Sequence, residues 1–447
     1  MLQVGLMVAV TGYLVIGRTF GYLGLPQVYL FLGEILLLGC VALRPTRQRL
    51  LQAVRDLGQP GRWHVLSLGV VVVLVVGVYE ALRGVSSGND LLTALKNLPF
   101  NYYPLFLFIG IWWGSRDADA MRRATLWVAR GNAYYGTAYV LVLSKSSLLF
   151  PGQADVPLFG NGNSSGLALL GLLVFHRSRG WETRLLLALN AFVLLGLQQR
   201  SEWLGFAAGL LVLCLLTHRM KSFLQGTLAV LGLLAIISVL GISVPGAAGR
   251  GGEITLGGIV GRSVAAVDPS LASRYVKDTK IYSGTAQWRT IWWGNIWHAA
   301  TADPATAVLG HGYGYELRKL GENVPADTRT PHNAFFYALG YTGWLGVSSI
   351  ALLWGCIGRL LWQVWRAKGE IFGILVGVFS LGLGMFGNWF ETPYGALPTY
   401  LLIGLALSSL GRTGAPAASE PAEQRISRAA PGRRRTPPRG VAAPSPG

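Results

Sequence analysis

Apolar runs long enough to cross a lipid bilayer recur from one end of this 447-residue chain to the other. Trp63–Leu82, Ser222–Val244 and Ile371–Trp389 each approach the ~20 residues a helix needs to span the hydrocarbon core. Inside lipid no water answers backbone N–H and C=O groups, so only helices and closed barrels cross. Barrel strands alternate apolar and polar side chains, whereas these runs are continuous. The chain therefore reads as an all-α polytopic membrane protein. Spans are expected at about 2–16, 27–43, 63–82, 99–114, 125–143, 161–175, 185–199, 203–217, 222–244, 333–357, 371–389 and 397–411, about 12 transmembrane helices. Only 13% of residues are charged and mean hydropathy is +0.44, against about 25% charge in soluble proteins.

The net charge of +18 would raise the question of nucleic acid in a soluble chain. Here its distribution gives a topology. With the N-terminus inside, the inner segments carry 23 Lys and Arg and the short outer segments carry 5, which satisfies the positive-inside rule. No basic–aromatic module is visible, so no nucleic-acid partner is expected. Membrane lipids are expected partners throughout. Cys40, Cys214 and Cys356 fall inside expected spans and read as small packing residues. The N-terminus lacks a basic leader and cleavage site and reads as an uncleaved first helix.

Residues 1–411 form the expected membrane domain. Its main interruption is a long extracytoplasmic loop, 245–332, bearing short helices. Within it Thr285–Thr301 reads as a helix stopped by Asp303-Pro304. Trp288, Ile291, Trp292 and Ile296 share a face suited to the membrane interface. The tail, 412–447, rich in Pro, Ala, Ser and Arg, is expected to be disordered and cytoplasmic.

Three outer-side residues carry most of the chemical interest. Arg200 sits between two apolar runs at a short hairpin made polar by Gln198, Gln199, Ser201 and Glu202. It reads either as a snorkelling helix-end cation or as an anion clamp. Arg289 lies in the loop helix, where headgroup contact and anion binding compete as readings. Two guanidiniums on one face suit a diphosphate, whose oxygens accept bidentate charge-assisted bonds. His332, after Pro331 and before the apolar Ala334-Phe335-Phe336, reads as either a structural imidazole or a base near neutral pH. Asn333 offers a polar contact or a cap, and Glu391, at an outer helix end, is placed to line the same cavity.

Other features read as bland. Asp117-Ala118-Asp119 mimics a metal-binding pair but lies among Arg116, Arg122 and Arg123 in a short inner loop. Gly310-His311-Gly312-Tyr313-Gly314 lacks the strand–helix context of a nucleotide loop. Glu80, near a span end, reads as solvated. Glu34 and Arg130 are the deeply placed charges that a transporter or flippase would need.

Several motifs together resemble the O-antigen ligase and O-antigen polymerase superfamily of bacterial envelope enzymes. They are Gly160-Asn161-Gly162-Asn163; Gln199-Arg200-Ser201; Gln287-Trp288-Arg289; Gly310-His311-Gly312-Tyr313-Gly314; and Pro331-His332-Asn333-Ala334-Phe335 with Leu339-Gly340-Tyr341-Thr342-Gly343. One departure is Ser201, where many members carry glycine. The resemblance implies a GT-C-like, metal-independent, inverting glycosyltransferase without cofactor. Its donor would be a glycan on undecaprenyl diphosphate, and its acceptor a glycan or lipid hydroxyl at the outer face of the bacterial cytoplasmic membrane. The family's arginines carry over onto Arg200 and Arg289 as donor diphosphate ligands, and its histidine onto His332 as the base. Around them Asn163, Trp288, Tyr313, Asn333 and Glu391 are candidates to line the substrate cavity. A ligase is favoured, with a polymerase of lipid-linked repeat units as the alternative.

Overall fold

The computed structural model describes residues 2–25, 30–58, 61, 63–151, 156–175, 180–221, 224–225, 232, 244–247, 253–254, 279–321, 324 and 328–412. Most of the expected span 222–244, most of 245–278 and the tail beyond residue 412 lie outside them. In chain order the α-helices are α1 (Leu2–Val15), α2 (Arg18–Gly21), α3 (Leu32–Ala42), α4 (Arg44–Arg55), α5 (His64–Ser86), α6 (Leu91–Asn97), α7 (Pro99–Tyr102), α8 (Phe106–Arg116), α9 (Ala120–Gly131) and α10 (Thr137–Leu141). There follow α11 (Ser165–Phe175), α12 (Trp181–Leu197), α13 (Arg200–Leu216), α14 (Thr279–Ala300), α15 (Pro304–Leu309), α16 (Ala334–Lys368), α17 (Phe372–Phe386) and α18 (Pro393–Leu407). A π turn, Asn132–Gly136, joins α9 to α10. Among the described residues strands are confined to two antiparallel two-residue pairs, Gly24–Leu25 with Leu30–Phe31 and Val244–Pro245 with Glu253–Ile254.

The expected all-helical membrane architecture is present. Among the described residues three helices are long and apolar enough to cross a membrane alone: His64–Ser86, Ala334–Lys368 and Pro393–Gly411. Several other expected spans are shorter apolar helices, such as Leu2–Val15 and Phe372–Phe386. The hairpin around Arg200 is tighter than expected, because Arg200 itself opens α13. The loop helix begins earlier than expected, at Thr279. Asp303-Pro304 starts the next helix as well as ending the previous one: the Asp303 carboxylate caps α15 by accepting from Ala305 N (3.0 Å) and Thr306 N (2.9 Å).

Two ends of the bundle can be told apart. At one end Thr19 donates to Pro157 O (3.1 Å), Gly162 N to Val15 O (3.1 Å) and Ala247 N to Gly196 O (3.0 Å), tying loop to loop. The opposite end opens into a cavity of about 770 Å³ whose lining includes Asp117, Arg122, Leu213, Arg219 and Phe372. Arg200, Arg289 and His332 are not among its lining residues.

One break in α16 fixes how residues 309–314 dock. Gly343 has φ 59°, a left-handed conformation that interrupts the helix. A break strands carbonyls one turn upstream, which need partners from elsewhere. His311 N donates to Gly340 O (3.0 Å) and Gly312 N to Tyr341 O (2.8 Å). The expected glycine turn is thus a clasp on α16. The α5 side closes it: Arg83 Nη2 donates to Leu309 O (2.6 Å) and Gly310 O (3.0 Å), while Arg83 also pairs with Glu80 at 2.6 Å. Glu80 is wholly buried there, not solvated as its position near a helix end implied. Asn89 reaches His311 O and Tyr313 O, and Asn97 accepts from Gly314 N.

Gly84 lets α5 come this close, since a Cβ there would lie 2.0 Å from Tyr313 O. Gly84→Ala is therefore expected to lower stability by about 1–3 kcal/mol through overpacking. Gly39→Ala, at a position with open space around it, serves as control and gains slightly in helix propensity, by up to about 1 kcal/mol. Thermal unfolding in detergent measures both, and equal melting of the two variants would contradict the close approach.

Candidate active site

The segment leading into α16 is held at three consecutive residues. Trp293 Nε1 donates to Pro331 O at 2.7 Å. His332 follows with φ 53°, a left-handed conformation that costs an L-residue about 1–2 kcal/mol. Asn333 then caps α16, its Oδ1 accepting from Phe335 N (2.9 Å) and Phe336 N (3.2 Å). Its Nδ2 donates to Met385 O at 2.7 Å, which ties the cap to the end of α17.

The loop helix α14 packs against this segment. Trp292 and Ile296 are fully buried. Trp292 Nε1 donates to Leu317 O (2.9 Å) and Asn295 Nδ2 to Leu320 O (2.9 Å). Trp293 stacks on Phe336 at 5.4 Å and 12°. The Trp288 indole then meets the His332 ring edge-on, with centroids 6.3 Å apart. Arg289 lies over the Trp288 ring at 5.3 Å and donates from Nη1 to Phe386 O at 3.4 Å. His332, Trp288 and Arg289 are thus brought together beside the end of α17.

Arg200 reaches the same end by a different route. Gln198 turns α12 into α13 with φ 53°, and Trp203 Nε1 donates back to Leu194 O at 2.8 Å. Helices α13 and α17 pack closely: a Cβ on Gly382 would lie 2.8 Å from Gly205 Cα. The lining of the opposite-end cavity pairs Leu213 with Phe372, so the two helices run antiparallel. Arg200, five residues before Gly205, therefore lies toward the Phe386 end of α17. Glu202, fully buried, accepts from Gly166 N at 3.1 Å at the start of α11. That carboxylate at a helix N-terminus links the Arg200 turn to Asn163, which has φ 53° and donates its N–H to Asn161 Oδ1 at 3.0 Å.

Among the described residues four non-glycine residues have positive φ: Asn163, Gln198, His218 and His332. Three of the four belong to or adjoin the motifs singled out from sequence. Backbone strain of this kind gathers at functional sites, where it aims side chains.

Electrostatics adds Glu391, in the connection 387–392 between α17 and α18. Both carboxylate oxygens are shielded, and no hydrogen bond of good geometry reaches either. Burial pushes this carboxyl up to about 8, while the Thr330 hydroxyl and the Arg289 charge pull it the other way. His311, stacked on Tyr315 at 4.4 Å, has its imidazole pushed below the ordinary range by burial and by Arg83. It belongs to the clasp.

Other candidates serve the fold. Tyr313 is fully buried, donates to Asn101 Oδ1 and packs on Tyr341, so it is a core residue and does not line open space. Asn333 is 3% exposed and acts as a cap and tether. Glu34 accepts from Phe31 N, Tyr102 OH and Tyr103 OH at 3.1, 2.7 and 2.5 Å, and Arg130 pairs with Glu182 at 2.6 Å. Neither stands as a lone charge for a transport relay. Asp117 pairs with Arg123. Among the described residues no three His, Cys, Asp or Glu side chains converge as a metal donor set. Sequence reading missed Glu202 as a helix cap and Arg83 as the clasp; an acid two residues after Arg200 was the available signal for the first.

Residues 185–351 match the family described as O-Antigen ligase. The matched stretch begins in α12, ends within α16 and contains Arg200, Arg289 and His332, while Asn163 and Glu391 lie outside it. No curated protein matches the chain.

Removing the cap should be felt directly. Asn333→Ala is expected to cost about 1–2 kcal/mol, the usual range for a lost N-cap, and Asn333→Asp, which keeps the acceptor, to recover most of it. Thermal unfolding in detergent reads the order, and an unchanged melting temperature for Asn333→Ala would show that the cap is dispensable.

Proposed function

We propose that this chain, whose residues 185–351 match the family described as O-Antigen ligase, is a glycan ligase of the bacterial cytoplasmic membrane. It transfers a glycan from undecaprenyl diphosphate to an acceptor hydroxyl at the outer face, without metal, as an inverting glycosyltransferase. The observation that carries this reading is the convergence of His332 with Trp288 and Arg289, at the end of the bundle where Arg200 also lies.

The chemistry follows from the groups. An imidazole at His332 accepts the proton of the acceptor hydroxyl as its oxygen attacks the anomeric carbon. The bond from that carbon to the diphosphate oxygen breaks, and its electron pair leaves with the diphosphate. Attack from the face opposite the leaving group inverts configuration. Arg200 and Arg289 hold the diphosphate and offset the charge that grows on it during departure. Trp288 gives the imidazole an apolar edge and the guanidinium a face to lie on, which limits the motion of both. Fixing the reactants in this way removes part of the entropic barrier.

The test is transfer by the purified, reconstituted protein, supplied with undecaprenyl-diphosphate-linked glycan and candidate acceptors. His332→Ala is expected to lower kcat by about 10²–10⁴-fold, the usual contribution of a positioned general base. Arg200→Ala and Arg289→Ala are each expected to lower kcat/KM by roughly 10- to 100-fold, from charge-assisted hydrogen bonds worth about 1.5–3 kcal/mol. Turnover unchanged in His332→Ala would remove the base. A product lengthened on a second lipid-linked repeat, with no transfer to a lipid acceptor, would identify a polymerase instead.

A further inference from the structure

The cavity of about 770 Å³ at the far end of the bundle plays no part in the chemistry above. It forms where the ends of α8, α11, α13, α16 and α17 meet the first turn of α9 and the last of α18. Close contacts hold its walls. Phe175 on α11 stands edge-on to Phe372 on α17, with ring centroids 5.0 Å apart. A Cβ on Gly373 would lie 2.5 Å from the Ala406 side chain, and one on Gly114 would collide with the Ser408 hydroxyl. Helices α8 and α17 thus both press on α18 here, and the space beside them is a built feature of the fold.

Its lining divides by character. The buried Phe372 and Leu405, with the half-buried Val174, Leu210 and Leu213, make an apolar wall. Packed protein holds few voids larger than a water molecule, and an apolar cavity gives water too few partners to fill it. Apolar chain is the matter that suits this wall. The exposed side chains of Asp119, Arg122, Arg219 and Glu370 complete the lining. Asp117 lines it as well, but Arg123 takes its carboxylate. Among the described residues no ion pair joins any of the other four. The cavity therefore offers two cations and two acids beside an apolar wall.

A ligand that satisfies all of these groups carries an apolar chain and a headgroup of both signs. Guanidiniums hold phosphate oxygens by charge-assisted bonds, and carboxylates accept from the three N–H donors of a primary ammonium. A purely anionic headgroup would set like charge against Asp119 and Glu370, and a basic peptide would set it against Arg122 and Arg219. We propose that this cavity binds one phospholipid of the adjoining leaflet. Its acyl chain lies on the apolar wall, its phosphate at Arg122 and Arg219, and its primary ammonium at Asp119 and Glu370.

The probes are phosphatidylethanolamine and its N-acetyl derivative, which keeps both chains and the phosphate but loses the cation. Each is titrated into the full-length protein in detergent, and native mass spectrometry counts the lipid bound. Wild type is expected to saturate with one phosphatidylethanolamine and to bind the derivative roughly five- to tenfold more weakly, since two exposed charge pairs are lost. Asp119→Asn combined with Glu370→Gln should bring the two lipids to equal affinity, which isolates the coupling between those acids and the ammonium. Arg122→Gln combined with Arg219→Gln should weaken both lipids by a similar factor. Leu213→Trp, which fills the apolar space, should abolish the saturable site. Glycerophosphoethanolamine, the headgroup without chains, should not compete.

Equal wild-type affinity for the two lipids would overturn the proposal, as would a preference that survives the paired acid substitutions. Binding that never saturates would show an annular shell in place of a site, and effective competition by glycerophosphoethanolamine would remove the role of the chains; either result sinks it. If phosphatidylethanolamine binds only after residues 413–447 are deleted, the tail is the occupant and the lipid site falls. The comparison of the two lipids on wild type decides the matter even where a substituted protein fails to fold. None of these measurements involves glycan transfer, so neither reading stands or falls with the other.

Discussion

One end of the helical bundle depends on a break in one helix. Gly343 turns left-handed inside α16 and leaves the carbonyls of Gly340 and Tyr341 to be answered by His311 N and Gly312 N. In a lipid environment such carbonyls are costly without partners, so the break and the glycine turn require each other. Everything the loop brings to the site hangs from that pairing. Residues 309–314 are gripped by α5 and α6 on one side and α16 on the other. The segment through Leu317 and Leu320 then holds α14 by Trp292 and Asn295. That helix in turn carries Trp288 and Arg289 to His332.

The two arginines are held by unlike means, and the contrast is informative. Arg289 sits on a long helix braced by indole N–H donors and aromatic stacking. Arg200 sits at the first position of its helix, aimed by the left-handed Gln198 before it and by the buried Glu202 after it. His332 combines both devices, with a left-handed backbone set between a tethered proline carbonyl and an asparagine cap. Local strain of about 1–2 kcal/mol per left-handed residue is sustained here because neighbouring contacts over-determine each position.

Much of this was legible in the sequence, and the limits have physical reasons. Continuous apolar runs gave the helical membrane class, and charge asymmetry placed Arg200, Arg289 and His332 at one end, which the geometry repeats. The helix beginning at Thr279 and the cap at Asp303 show where local signals blur, because one residue can end one helix and start another. Glu80 was misread as solvated because burial near a helix end is decided by what docks there, and Arg83 with the 309–314 turn lies far away in sequence. Tyr313 stood as a cavity candidate through the family resemblance of its motif; the glycines serve close backbone approach, and the tyrosine fills the space behind them. Glu202 appeared only as hairpin polarity: an acid beside Arg200 was visible, but the N–H it accepts from, at the start of α11, lies 36 positions earlier.

The clasp also sets an order of assembly. Arg83 and Leu309 are 226 positions apart, so α5 is made and inserted long before its partner turn exists. Contacts of such separation form late, and a growing chain acquires its parts from the N-terminus onward. Helices α1 to α13 can therefore gather, with Arg200 already in place, before Arg289 and His332 have been made. The turn can close onto the broken helix only once Gly343 has been made, when more than three-quarters of the chain has been synthesised.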